Sequence, residues 1–380
     1  MPGRSLRIGR VAGIPVGVSP LWLVIVGLIT WSLGAGYYPD RIPGIAPTEA
    51  YALGLLSALL LFASILAHEV GHAVVARRHG VEVEEIDLWL LGGVARMRGS
   101  PKGPGDELRY ALAGPAVTAV VAAVFGAAAL TLPASWPDAV REVVGYQAFV
   151  NAAILVFNLM PAFPLDGGRV TRALLWRRTG DFVAATERAA VAGRAFGWVL
   201  VGLGALGALG GAPGGLWLAL IGGFLLMASR AEAAGTEVHA TFAGTAVESL
   251  MSRPPSCVPA SQSIQDALHD HFATERYTAF PVVSDAGRAV GVVTLDRVAA
   301  VPPSDRGRVR VADVTDDDAR LLIRPDHDLV ALLEDPAFNA VGRAVVVDDV
   351  LHALGVVSIT DVRRALRVAR VTRGRTPAGG

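Results

Sequence analysis

The chain has 380 residues, 52% hydrophobic and 18% charged, with a mean hydropathy of +0.47 and a formal net charge of zero. That balance excludes an ordinary soluble enzyme, and zero net charge leaves no electrostatic case for direct nucleic-acid binding. The single cysteine, Cys257, excludes an intrachain disulfide and reads as a small buried residue.

In chain order, Arg4, Arg7 and Arg10 precede a first apolar window at about residues 17–36. No small-x-small cleavage site closes it, so the segment is expected to remain as a membrane anchor rather than be removed as a signal peptide. Further apolar windows lie at about 50–76, 109–132, 143–163, 190–211 and 213–229, each near the roughly 20 residues that cross a hydrocarbon core. Six transmembrane helices are expected, although the last two, divided only by residues 210–215, also read as one re-entrant hairpin.

Basic residues orient the spans. Arg4, Arg7 and Arg10 before the first, Arg77, Arg78, Arg96, Arg98 and Lys102 after the second, and Arg169, Arg172, Arg177 and Arg178 after the fourth place those loops in the cytoplasm. The opposite loops carry Asp40, Glu49 and Asp138 with few basic residues, so both termini of this multi-pass protein of the cell membrane are expected inside. Between the second and third windows, residues 81–98 alternate β-branched and aromatic residues around Gly92 and Gly93, a pattern that predicts a β-hairpin.

Within the second window stands His68-Glu69-Val70-Gly71-His72. Residues four apart share a helix face, so His68 and His72 can offer two imidazole nitrogens to one metal, with Glu69 beside them. A zinc held this way brings the pKa of its water toward neutrality, and a neighbouring carboxylate takes the proton as the water attacks a carbonyl. Chance alone produces the pattern in roughly one such chain in a hundred or fewer. Three ionisable groups in an apolar helix would cost about 2.5–3.5 kcal/mol each without a partner, which argues further against accident.

A catalytic zinc usually has three protein ligands. The extended motif would need Gly at 75 and His at 78, where Val75 and Arg78 stand, and Glu82, Glu84 and Glu85 follow a basic turn expected in water. The segment from Asn158 through Pro161, Pro164, Asp166, Gly167 and Gly168 to Arg169 breaks the fourth span, and broken helices at membrane depth line cavities that hold ions. Asp166 is there either the third ligand, giving a charge-neutral cluster with Glu69, or the cap of the next helix. Asn158 is a candidate donor to the oxyanion, and Asn151, seven residues earlier, is a candidate for interhelical hydrogen bonding.

These paired motifs, with Ala113-Gly114-Pro115 in the third span, resemble the site-2 protease family of intramembrane zinc metalloproteases (peptidase family M50) over about residues 5–230. The resemblance implies that His68, His72 and Asp166 bind one Zn2+, that Glu69 is the general base, and that Asn158 helps hold the substrate or oxyanion. It also implies a single-span membrane protein as substrate, which in this family is often a membrane-tethered transcription regulator. The substrate helix must unwind to be cut, and an exposed strand of the 81–98 hairpin is expected to pair with it.

After Arg230 the composition becomes that of a soluble protein. Two similar units about 64 residues apart, the first through Phe280-Pro281 and Gly291 to Thr294, the second through Ala344 and Gly355 to Ser358, Thr360 and Asp361, resemble a pair of CBS domains. Such pairs commonly bind AMP or ATP and can form homodimers. The resemblance implies that Ser358 and Asp361 contact a nucleotide; in the first unit Thr294 is followed by Asp296 and Arg297 at other spacings, which departs from the pattern. His269 and His271 read as surface helix residues.

The expected architecture is therefore a polytopic α-helical membrane protein with about six transmembrane helices and a small β-hairpin, plus a cytoplasmic α/β CBS domain pair. The expected divisions are a protease domain at 1–230, a linker at 231–245, CBS units at 246–303 and 309–370, and a disordered tail at 371–380. A CBS-regulated transporter or channel with a structural metal site is the alternative reading.

Overall fold

Two strands, β1 (Leu6–Val11) and β2 (Ile14–Val18), precede the first apolar helix. Ala12 and Gly13 turn the chain with positive φ, and Ile14, Val16 and Val18 alternate inward at period two, which buries all three. This hairpin was not expected, because its short alternation is overshadowed by the apolar window that follows. The structure, a computed structural model, describes residues 6–89, 92–98, 103–212, 214–275 and 277–372. Arg4 and Lys102, read as orientation signals, lie outside those residues.

The chain divides into two compact units, Met1–Ala234 and Gly235–Gly380. In the first, α1 (Pro20–Ser32) starts where the Ser19 hydroxyl accepts from the Leu21 N–H at 3.2 Å and Pro20 supplies a preset φ. A π turn over Leu33–Tyr37 and α2 (Tyr38–Arg41) prolong it. Then follow α3 (Pro47–Arg78), β3 (Glu82–Trp89), β4 (Gly92–Arg98), α4 (Pro104–Thr131), α5 (Asp138–Asn158), α6 (Asp166–Thr179), α7 (Phe182–Leu209) and α8 (Gly215–Phe242).

Six helices are long and apolar enough to cross a membrane: Pro20–Arg41, α3, α4, α5, α7 and α8. The last two windows form two separate helices of 28 residues each, and each is long enough to cross by itself. The fourth helix ends at Asn158, short of its apolar window, because Pro161 and Pro164 have no N–H to continue the ladder. The loop 159–165 then folds over the first turn of α6. A Cβ on Gly167 would lie 2.3 Å from the carbonyl oxygens of Leu159 and Met160, so only glycine permits that fold.

The four strands form one sheet in the order β1-β2-β3-β4, with β2 and β3 parallel and the other pairs antiparallel. The expected 81–98 hairpin is present as β3–β4, and β4 is a sheet edge. Ile14, Ile86 and Ala73 share one core cluster, which seats the sheet on α3 one residue beyond His72.

The segment expected as a linker is helical as far as Phe242, since its alanines and glutamates favour a helix. In the second unit, β5 (Val258–Pro259), α9 (Ile264–Ala267), β6 (Ala279–Val283), β7 (Ala289–Thr294) and α10 (Leu295–Ala299) form the first repeat. The second comprises β8 (Leu322–Ile323), α11 (Leu329–Glu334), α12 (Pro336–Val341), β9 (Arg343–Val347), β10 (Ala353–Ser358) and α13 (Ile359–Thr372). Each repeat has a three-stranded sheet of the same pattern, β5-β6-β7 and β8-β9-β10.

A shared core of Ala279, Ala289, Val292, Leu321, Val345 and Val347 joins the two repeats. Within this second unit, Val247, ahead of the first repeat, packs in the core of the second repeat, and Ser252 bridges to Val356. Cys257 is half-buried rather than buried, and that burial pushes its thiol pKa up, so it is a poor nucleophile. Val371 and Thr372, expected in a disordered tail, end α13; the rest of that tail lies outside the described residues.

Candidate metal centre

On α3, the single turn between His68 and His72 sets their Nε2 atoms 3.1 Å apart. The Asp166 carboxylate, in the first turn of α6, completes a triangle: Oδ2 is 3.1 Å from His68 Nε2 and Oδ1 is 3.1 Å from His72 Nε2. Both histidines are buried and Asp166 nearly so. Asp166 is the first residue of α6 but does not cap it: the cap position is Leu165, without a side-chain hydrogen bond, and the Asp166 carboxylate faces the histidines instead.

Each imidazole is oriented through its far nitrogen. His72 Nδ1 lies 2.8 Å from the backbone carbonyl of Tyr110, which can only accept, so Nδ1 carries the proton and the Nε2 lone pair faces the triangle. His68 Nδ1 pairs with Thr118 Oγ1 at 2.8 Å, and Thr118 is buried. Outer partners of this kind fix the ring and tautomer of a metal-ligating histidine.

The donor set fits zinc. Bonds of about 2.0–2.1 Å to a tetrahedral ion place neighbouring ligand atoms about 3.3 Å apart, close to the separations here. Without a cation, two nitrogens and a carboxylate would converge at that distance in a buried place with little to offset their desolvation. Room is left as well. A Cβ on Gly114 of α4 would sit 2.3 Å from His72 Nε2 and 2.5 Å from His68 Nε2, so the glycine keeps open the space beside the donors.

Glu69 is half-buried, and β4 passes over it: a Cβ on Gly93 would be 2.4 Å from Glu69 Cγ and 3.3 Å from its Oε1. The carboxylate is thereby held under a sheet edge, next to the two histidines. Asn158 ends α5, half-buried, and no hydrogen bond to a described residue joins its side chain to the triangle. Asn151 bonds within its own helix, donating to Gln147 O and Oε1, while Gln147 Nε2 donates to Ser57 O at 2.9 Å and so makes the cross-helix link.

Thr118, Tyr110 and Gln147 are the site and network residues that motif reading passed over, while Gly114 stood out only as part of Ala113-Gly114-Pro115, with no role attached. Thr118 and Gln147 carry a usable signal, a polar side chain in an apolar span.

In the second unit, Ser358 and Thr294 occupy matching places, each ending a strand just before a helix. Ser358 N and Oγ both donate to Asp361 Oδ2, at 2.9 and 2.6 Å, in a closed helix cap. In the first repeat the third residue after Thr294 is Arg297, which pairs with Asp316 at 2.7 Å. The two halves of the pair are therefore chemically unequal.

The model of peptidase family M50 matches residues 56–140 and 133–201, and a CBS domain model matches 247–303. A Mycobacterium tuberculosis protein named as zinc metalloprotease Rip3 is 40% identical over 372 residues, covering 97% of this chain and 94% of its own. The chain belongs to peptidase family M50. A Synechocystis protein named as zinc metalloprotease sll0528 is 34% identical over 310 residues, covering 81% of this chain and 80% of its own. The solved site-2 protease from Methanocaldococcus jannaschii is 27% identical, with a TM-score of 0.40, covering 60% of this chain and 95% of that one. This M50 protein is a metalloendopeptidase with a CBS domain, and His68, His72 and Asp166 all lie within the matched M50 ranges.

Proposed function

We propose that this M50 peptidase hydrolyses a peptide bond within or near the transmembrane segment of single-span membrane proteins, a membrane-tethered transcription regulator being one such substrate. The observation that carries the reading is the triangle of His68, His72 and Asp166 with Glu69 beside it, on helices of membrane length. The three residues would hold zinc, which when bound activates water and polarises the scissile carbonyl. Glu69 takes the proton from the attacking water and passes it to the leaving amide nitrogen. Asn158 is assigned to hold the substrate carbonyl.

Basic loops favour a cell-membrane protein with both termini in the cytoplasm. Glu69 lies eight residues before Arg77, roughly 12 Å by helical rise, so cleavage falls near the cytoplasmic side. Incubation with a model single-span substrate in detergent tests the reading: cleavage should occur, stop on zinc chelation and return with added zinc. Cleavage indifferent to chelation would remove it.

A helical peptide bond is closed to attack until its hydrogen bonds are given up. The β4 edge supports a role in holding the unwound substrate, since among the described residues it is an edge of the four-stranded sheet and runs over Glu69. Proline at Gly92 removes an N–H group from this strand, leaves the close approach of Gly93 to Glu69 in place, and should abolish cleavage while one zinc remains bound. Unchanged cleavage would refute strand pairing.

The CBS pair is assigned adenine nucleotide binding through Ser358 and Asp361, with Thr294 a weaker contributor because Arg297 replaces the acid. Calorimetric titration of the full-length protein with AMP and ATP should give saturable heat that Asp361→Ala removes. No heat at millimolar nucleotide would end that assignment.

A further inference from the structure

Three pairs of positions run in step along α4 and α6. Arg172 Nε and Nη2 donate to Glu107 Oε1 at 2.6 and 2.5 Å; three residues earlier on α6 and three later on α4, Arg169 Nη1 donates to the Tyr110 hydroxyl at 2.8 Å. The next step is Asp166 on α6 and, on α4, Gly114, whose missing side chain leaves room at the histidine nitrogens. Arg169 also stacks over the Tyr110 ring, and the Tyr110 carbonyl is what orients His72. The same α4 residue thus holds a ligand histidine by its backbone and the ligand helix by its side chain.

Arg172 is buried and fully engaged. Glu107 is 0% exposed, Glu232 of α8 accepts from Arg172 Nη1 at 2.6 Å, and the rings of Phe163 and Phe182 lie 5.1 and 4.9 Å from the guanidinium carbon. Phe163 belongs to the loop that leads into Asp166. A buried charge of this kind tolerates few alternative arrangements, because any slip of α6 along α4 would leave Glu107 or Arg172 unpaired. The loop 159–165 packed on the first turn of α6 fixes Asp166 relative to its own helix, but its partners lie on a different helix, so its place among them depends on where α6 docks.

We propose that Arg172 and Arg169 are positioning residues, which set the register of α6 against α4 and through it the place of the Asp166 carboxylate in the zinc site. This rests on the zinc-site reading given above. Neither arginine is one of the three metal donors. Their action is geometric, and a shift of α6 by a fraction of a turn would carry Asp166 out of reach of the two Nε2 atoms.

The test is zinc affinity of the full-length protein in detergent by competition with a chromogenic chelator, read together with the ligand-field spectrum of the Co2+-loaded protein. Arg172→Leu and Tyr110→Phe should each weaken zinc binding about 10–100-fold, the usual range for outer-shell losses, and alter the cobalt spectrum. Arg172→Lys should recover part of the affinity. Arg177→Leu, which removes the same charge from an exposed place on α6, should change neither readout. If Arg172→Leu fails to fold, Tyr110→Phe decides, because it removes one hydroxyl and keeps both the ring and the carbonyl. Zinc affinity within twofold of wild type in Tyr110→Phe and in any folded Arg172 variant overturns the proposal. His68→Ala separates the two readings: retention of zinc there defeats the metal site itself, whereas loss there with retention in the register variants defeats only the register.

Discussion

Glu69→Gln should lower cleavage of a single-span substrate by about 10²–10⁴-fold or more while one zinc per chain stays bound. The substitution keeps the length and shape of the side chain, so its packing beneath Gly93 is retained. It leaves all three donor residues untouched. What it removes is a group able to accept a proton from water and return it to the leaving nitrogen, worth about 3–5 kcal/mol of barrier at that rate loss. Measuring zinc content and cleavage on the same preparation separates a lost base from a lost metal. Equal cleavage by mutant and wild type would show that Glu69 is not the base, and loss of zinc together with activity would place it in metal binding instead.

Gly114→Ala is expected to weaken zinc binding at least 100-fold by chelator competition, and to remove cleavage with it. The added Cβ would lie 2.3 and 2.5 Å from the two histidine Nε2 atoms, well inside van der Waals contact, and it is attached to a helix backbone that cannot yield as a flexible side chain would. Helix propensity points the other way, since alanine is better than glycine by about 1 kcal/mol in a helix interior. A loss of zinc with unchanged helical circular dichroism is thus a steric result rather than a weakened span. Gly126→Ala on the same helix is the control, because nothing lies within 4 Å of the Cβ it would add, and it should bind zinc as wild type does. Full zinc occupancy in Gly114→Ala would mean the ion does not sit among these donors.

The membrane helices and the repeat in the second unit are legible in the sequence because they depend on local patterns. Apolar windows, a 64-residue repeat and the His68 to His72 spacing are each set within a stretch of chain that nearest-neighbour geometry controls. The N-terminal hairpin is not legible in the same way: β1 and β2 are too short to stand out, and β2 is held by pairing with β3, about 70 residues later. The helical linker was missed for a related reason, since small residues read as flexible until α8 is seen to carry straight through them.

At the site, the chain order alone yields a helix face with two imidazoles and a carboxylate, and a second segment broken by prolines. Helical periodicity suffices for that, as it relates residues one turn apart. Whether Asp166 caps a helix or faces a metal, and which of the nearby acids completes the set, depends on packing between segments 94 residues apart. Only the assembled structure brings Asp166 within 3.1 Å of both histidines, sets Thr118 and Tyr110 behind them, and lays β4 over Glu69. Those contacts follow from how α4, α6 and β4 dock on α3, and docking is decided by buried shape and charge pairing rather than by any pattern that a single stretch of sequence contains.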